Sequence, residues 1–195
     1  KSLDIDGYFV MVTKKGLIKR SEIREYNTSL RKRGLKAITL TEGDDLSFVM
    51  TTDGNKDIML VTAMGMAVRY QETLVRCIGK NGQGSRSMLL SHDDNIAAVL
   101  AIDSDEDPSI LVVTELGKGK KTSASEYRST AGRTVKGQRT INQTKREQTG
   151  KIVSALAIND NDDILVLTNK GKMMRCNLDS LRNKSKATQA TTIVA

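Results

Sequence analysis

The chain has 195 residues, enough to bury a sizeable core, and its 31 Lys and Arg against 23 Asp and Glu leave a net charge of +8 and a pI of about 9.5. Aromatic residues are 3% with no Trp, which argues for a core of Val, Ile, Leu, Met and Ala and against stacking of single-stranded bases. No apolar stretch reaches the length of a membrane span or a signal-peptide core, and Cys77 and Cys176 have no Cys or His at metal-ligand spacing, so both read as ordinary buried or half-buried residues of a reducing compartment.

In chain order, a β-forming run at 8–12 leads into Thr13-Lys14-Lys15-Gly16-Leu17-Ile18-Lys19-Arg20. The same pairing returns at 58–61 with Thr62-Ala63-Met64-Gly65-Met66-Ala67-Val68-Arg69, and at 110–113 with Thr114-Glu115-Leu116-Gly117-Lys118-Gly119-Lys120-Lys121. A fourth copy follows 164–167 as Thr168-Asn169-Lys170-Gly171-Lys172-Met173-Met174-Arg175. The shared form T-x-x-G-x-x-x-[KR] starts 49, 52 and 54 residues apart, the period of stacked supersecondary units. Apolar runs of this length bounded by turn residues suit strands covered on both faces, and the glycine supplies a tight, positive-φ hairpin turn.

Within each unit a second glycine or basic turn follows, at Arg33-Gly34, 79–84 and 133–137, with alanine in the fourth copy at 186–190. A third apolar run comes next, at 37–40, 87–90 or 138–141, and an acidic or polar turn leads to a fourth, at 46–50, 96–102 or 152–158. Four short strands per unit is the stoichiometry of a propeller blade. Helical spacing never persists, and only 22–26, 123–127 and 178–181 suit a helical turn. The expected fold is all-β, a propeller-like disc of about four four-stranded repeats in one domain, at about 7–54, 55–107, 108–162 and 163–195, the last unfinished.

Charge follows the repeat. Residues 41–57, 93–107 and 160–163 hold 14 of the 23 acids and a single base, Lys56. Loops at equivalent repeat positions share one edge of an array, so bases in the hairpin and second turn are expected to build a basic rim with the acids elsewhere. The candidate contact set is Lys14, Lys15, Lys19, Arg20, Arg31, Lys32, Arg33, Arg69, Lys80, Arg86, Lys118, Lys120, Lys121, Arg133, Lys136, Arg139, Lys172 and Arg175, with some motif-ending bases open to pairing with acids of a neighbouring blade. Without zinc-finger or helix-turn-helix spacing, duplex backbone recognition with little sequence preference is the leading reading. A protein-interaction module binding an acidic partner through the same rim is the alternative.

Catalytic chemistry is absent from the pattern. His92 lies in an acidic surface turn, and neither 79–84 nor 117–122 has the glycine, lysine and hydroxyl spacing of a P-loop. Tyr8, Tyr26, Tyr70 and Tyr127 fall at strand or blade positions that suit packing. No cofactor or metal is implied.

The hairpin motif of the first repeat followed by Arg31-Lys32-Arg33-Gly34-Leu35-Lys36-Ala37-Ile38, then 66–70 with 74–79, then 117–122 with Glu126-Tyr127-Arg128, resembles the C-terminal domain of DNA gyrase A, with the related domain of topoisomerase IV the nearer alternative. The resemblance covers essentially the whole chain. It implies a β-pinwheel whose blades exchange strands, and a basic perimeter that binds, bends and wraps duplex DNA to present a segment for strand passage during supercoiling. It also implies a non-catalytic part of an ATP-dependent type II topoisomerase, partnered by the rest of gyrase A and by gyrase B, without a membrane, in the bacterial cytoplasm at the nucleoid. Departures are plain: the family usually has six blades, and its glutamine-arginine-arginine-glycine-glycine-lysine-glycine box is missing, with 30–36 and 132–137 the nearest relics. An excised piece of a longer polypeptide, binding and bending DNA without constraining a full superhelical turn, is the expectation.

Overall fold

The computed structural model describes residues 5–27, 34–142, 144, 146–159, 161–178 and 181–193. Arg31, Lys32 and Arg33 lie outside the described residues, as does part of the helical turn expected at 178–181.

The strands in chain order are β1 (Tyr8–Thr13), β2 (Leu17–Glu22), β3 (Leu46–Thr52), β4 (Lys56–Thr62), β5 (Met66–Gln71), β6 (Ser85–Arg86) and β7 (Ile96–Asp103). They continue with β8 (Ser109–Thr114), β9 (Lys118–Ser123), β10 (Gln138–Arg139), β11 (Ile152–Ile158), β12 (Asp163–Leu167), β13 (Met173–Asn177) and β14 (Thr191–Thr192). Short 3-10 turns follow three of the hairpins at Ile23–Tyr26, Glu72–Leu74 and Ala124–Glu126. The second of these and the one-turn helix α1 (Arg146–Thr149) were not expected from the sequence.

The repeated motif is a side-chain-locked hairpin turn. In each copy the glycine N–H donates to the threonine carbonyl three residues back, at 3.0 Å for Gly16, Gly65 and Gly117 and 2.9 Å for Gly171. The threonine hydroxyl then accepts the amide four residues on: Leu17 at 2.9 Å, Met66 and Lys172 at 3.1 Å and Lys118 at 3.3 Å. All four glycines have φ between +66° and +87°, a conformation in which a β-carbon is strained.

Three sheets have four strands, in the orders β3-β1-β2-β6, β10-β5-β4-β7 and β11-β8-β9-β14, while β12 and β13 pair alone among the described residues. The outermost strand of each complete sheet is borrowed from the following repeat, so blades exchange strands as a pinwheel does. The third apolar run departs from expectation: in the second unit the strand is β6, two residues just before the expected 87–90, in the third it is shortened to the two residues of β10, and residues 37–40 contribute an isolated bridge from Thr39 to Gln83. At the other edge β7 lies beside both β3 and β11, which places these long strands toward the axis and the borrowed strands at the perimeter.

The core lies between blades. Alternate residues of one strand face opposite neighbours: Ile58 and Leu60 pack with Val10, Val12 and Ile18 of the first sheet, whereas Met59 and Val61 pack with Ile110 and Val112 of the third. Leu111 turns to Ile164 and Leu178. All of β4 from Ile58 to Val61 is fully buried, which explains its unbroken apolar run. At about 25 cal/mol per Å2 of apolar surface removed from water, this repeated burial is the main stabilising term.

Candidate nucleic-acid interface

Each borrowed strand is held at both ends by backbone. Before it, Ile78, Thr130 and Lys184 donate at 2.8 Å to the carbonyls of Arg20, Arg69 and Lys121, the last residues of three motif copies. After it, Ser87, Thr140 and Ile193 donate to the carbonyls of the motif glycines Gly16, Gly65 and Gly117, at 2.8, 2.9 and 2.9 Å. The second turns of the second, third and fourth repeats are therefore laid along the outer edge of the preceding blade. At Gly137 (φ +83°) a β-carbon would sit 2.4 Å from the Ala67 carbonyl, so only glycine permits that approach. In the fourth repeat Ala190 takes the corresponding place, and the left-handed conformation moves to Ala187 (φ +63°).

This geometry gathers bases on the rim. Arg86, Lys136 and Arg139 are exposed on or beside β6 and β10, and Lys80 is half-buried in the loop before β6. Lys118 Nζ donates to Thr192 Oγ1 at 2.7 Å, joining β9 to β14. Arg133 Nη1 donates to Ser85 Oγ at 2.6 Å and to the Arg86 carbonyl at 2.9 Å, reaching from the third repeat back to β6. Lys186 Nζ does the equivalent one blade later, donating at 2.6 Å to the Glu126 carbonyl and to Gln138 Oε1 of β10.

Other candidates are placed differently. Lys19 and Lys120 are buried, at 0% and 1% exposure. Lys19 Nζ donates at 2.7 Å to the carbonyls of Ala37 and Lys80, and Lys120 Nζ at 3.0 Å to that of Ser185. Burial lowers both ammonium groups, Lys120 to about 8 with the charge of Lys184 adding to the effect and Glu126 opposing it. They support the loops from beneath. Arg69 is also buried, with Nε 2.7 Å from Asp57 Oδ2 and Nη1 2.9 Å from the Ala124 carbonyl. Arg20 lies over the Tyr8 ring, 4.4 Å from its centroid, and 3.7 Å from buried Glu72 of the next blade, the neighbour pairing left open above. Arg175 pairs with Asp163 of its own hairpin through Nε at 2.7 Å. Lys121 is half-buried and Lys172 exposed in the fourth hairpin turn.

Lys14 and Lys15 do not share the rim. Their hairpin turn is bonded to the acidic turn of the same blade, Lys15 N–H to Asp44 Oδ1 at 2.9 Å and Lys14 N–H to the Asp45 carbonyl at 2.8 Å. Met64 N–H repeats this bond to Asp94 Oδ1 at 2.9 Å. Hairpin turns and acidic turns thus occupy one end of the blades together, and the basic character belongs to the borrowed-strand loops. Exposed Arg76 and Arg128 and half-buried Lys184 and Lys186 join the rim without having been singled out. Arg76 and Arg128 share one repeat position, 14 residues after the motif threonines Thr62 and Thr114, and that was the available signal for these two. Cys77 is exposed beside Arg20, contrary to expectation, and Cys176 is half-buried. Among the described residues no cluster of His, Cys, Asp or Glu is suited to a metal, and no helix is long and apolar enough to cross a membrane.

Residues 7–53, 56–103, 108–159 and 162–194 match the family described as DNA gyrase C-terminal domain, beta-propeller. The chain belongs to that family. The DNA gyrase A protein of Haloquadratum walsbyi is 33% identical over 191 residues, 98% of this chain and 22% of that protein. The DNA gyrase A protein of Escherichia coli K12 is 33% identical over 184 residues, 94% of this chain and 20% of that protein. The chain spans about a fifth of the length of these curated relatives. Among solved structures, the C-terminal domain of DNA topoisomerase IV superposes with a TM-score of 0.91 at 27% identity, covering all of this chain and 59% of that one. A DNA gyrase A C-terminal domain superposes at 0.86 with 24% identity, which speaks for the fold. The gyrase C-terminal domain family thus accounts for the pinwheel, and the exchanged strands explain how its rim comes to be basic.

Proposed function

We propose that this chain is a single-domain, non-catalytic duplex-DNA binding and bending element of a type II DNA topoisomerase, a portion of gyrase A that presents a DNA segment for strand passage. Its partners are double-stranded DNA, the remainder of gyrase A and gyrase B, and its place is the cytoplasm at the nucleoid. The observation that carries the reading is the rim: three borrowed strands on consecutive blades, with Lys80, Arg86, Lys136, Arg139 and Lys184 on or beside them. An arc of fixed cations suits a bent phosphate backbone. Bending a site of 20–30 bp costs about 1–6 kcal/mol, and contacts along the arc offset it. Backbone contact without base readout leaves sequence preference low.

A salt series on duplex binding tests this. Phosphate neutralisation releases counterions, so log affinity is expected to fall with log salt at a slope near −0.9 per phosphate contacted, with little difference between unrelated sequences. Affinity that is flat with salt, or confined to one sequence, would contradict it.

A further inference from the structure

Two rim cations point along the disc, into the protein. Arg133 grips Ser85 and the Arg86 carbonyl of the first sheet's outermost strand. Lys186 grips the Glu126 carbonyl and Gln138 of the second sheet's. They come from equivalent loops of successive repeats, and each crosses from the strand its own repeat lends to the strand lent one blade earlier. Nearby backbone bonds run the same way: Leu89 N–H donates to the Val135 carbonyl at 2.9 Å, and Asn142 N–H to the Thr188 carbonyl at 3.0 Å.

We infer that Arg133 and Lys186 are positioning residues that stitch the rims of successive blades into an arc of fixed curvature, and that they set the bend of bound DNA rather than neutralise its phosphates. The inference rests on the duplex-binding reading above. Its physical basis is where the charged heads are anchored: Arg133 through Nη1, and Lys186 through two of its three ammonium hydrogens, are held by acceptors of the preceding blade's edge. Each side chain already has two acceptors within 3.0 Å, and a charge-assisted bond of this kind is among the stronger ones a partly exposed side chain makes. Exposed Arg86, Lys136 and Arg139 remain for the phosphates. A rim held at set spacing is pre-organised, so less ordering is required when the duplex curves onto it.

The test separates contact from curvature. Arg133→Met and Lys186→Met are compared with Arg86→Gln and Arg139→Gln in this chain, using a duplex of about 30 bp labelled at both ends for energy transfer, together with amide hydrogen exchange. For the methionine variants the expected result is an unchanged salt slope, a broader distribution of end-to-end distances, and protection of the Leu89 or Asn142 amide reduced about tenfold, the size of one lost charge-assisted bond. For the glutamine variants the slope falls by about 0.9 for each substitution while the distance distribution of bound DNA stays narrow. A methionine variant that lowers the slope like a glutamine one, or that leaves either the amide protection or the bend as in the wild type, overturns the inference. If the wild-type chain fails to bind duplex DNA, the functional reading falls, and amide exchange alone still decides whether the two side chains hold the rim.

Discussion

Replacing Arg86, Lys136 and Arg139 together by glutamine is expected to weaken duplex binding about a hundredfold near physiological salt, because each phosphate contact contributes roughly fivefold there, and to lower the salt slope by about 2.7. All three side chains are exposed, so the melting temperature should hardly change. Neutralising exposed Asp105 and Glu106, which lie at the acidic connection after β7, is expected to leave affinity unchanged or slightly tighter. Net charge moves oppositely in the two variants, so equal losses from both would show that rim geometry does not govern binding.

The largest stability effect is expected from Glu72→Ala. Glu72 is fully buried in the 3-10 turn after β5. Its Oε2 accepts from Thr52 Oγ1 at 2.6 Å, and its Oε1 from the Gly54 and Lys56 amides at 3.0 and 2.8 Å. One carboxylate therefore orders the link between the first two sheets and faces the Arg20 guanidinium at 3.7 Å. Removing it leaves two amides, a hydroxyl and a partly buried cation without their acceptor, at a cost of about 3–5 kcal/mol. For a chain of this size that lowers Tm by roughly 10 °C. Glu72→Gln keeps the Oε1 acceptor and should lose less. Thermal melts in which the two variants lose equally, or in which alanine costs under about 1 kcal/mol, would be inconsistent with this role.

The hairpins were legible because their chemistry is local. Threonine and glycine three apart make one turn with one pair of bonds, so four copies announce four hairpins. The strand exchange was not readable from spacing and entered only through the family resemblance. Ser85–Arg86, Gln138–Arg139 and Thr191–Thr192 are two-residue strands, too short for alternation to show, and their partners are distant hairpins. The division of the bases was hidden for a related reason. In β2 and β9 both sheet faces are covered, so alternation cannot separate buried Lys19 and Lys120 from rim lysines, and only the docked loops of the next repeat reveal which are enclosed. Glu72 gave no signal at all, since a glutamate after a strand reads as an ordinary exposed turn.

Lysine acetylation footprinting on the duplex-bound chain reads the interface most directly, because each lysine reports its own access. The rim account predicts strong protection by DNA at Lys80 and Lys136, with exposed Lys151 and half-buried Lys56, which is paired with Asp103 at the acidic connection, as reactive as in the free protein. Protection of Lys56 and Lys151 with Lys80 and Lys136 unprotected would place the duplex elsewhere and contradict the account.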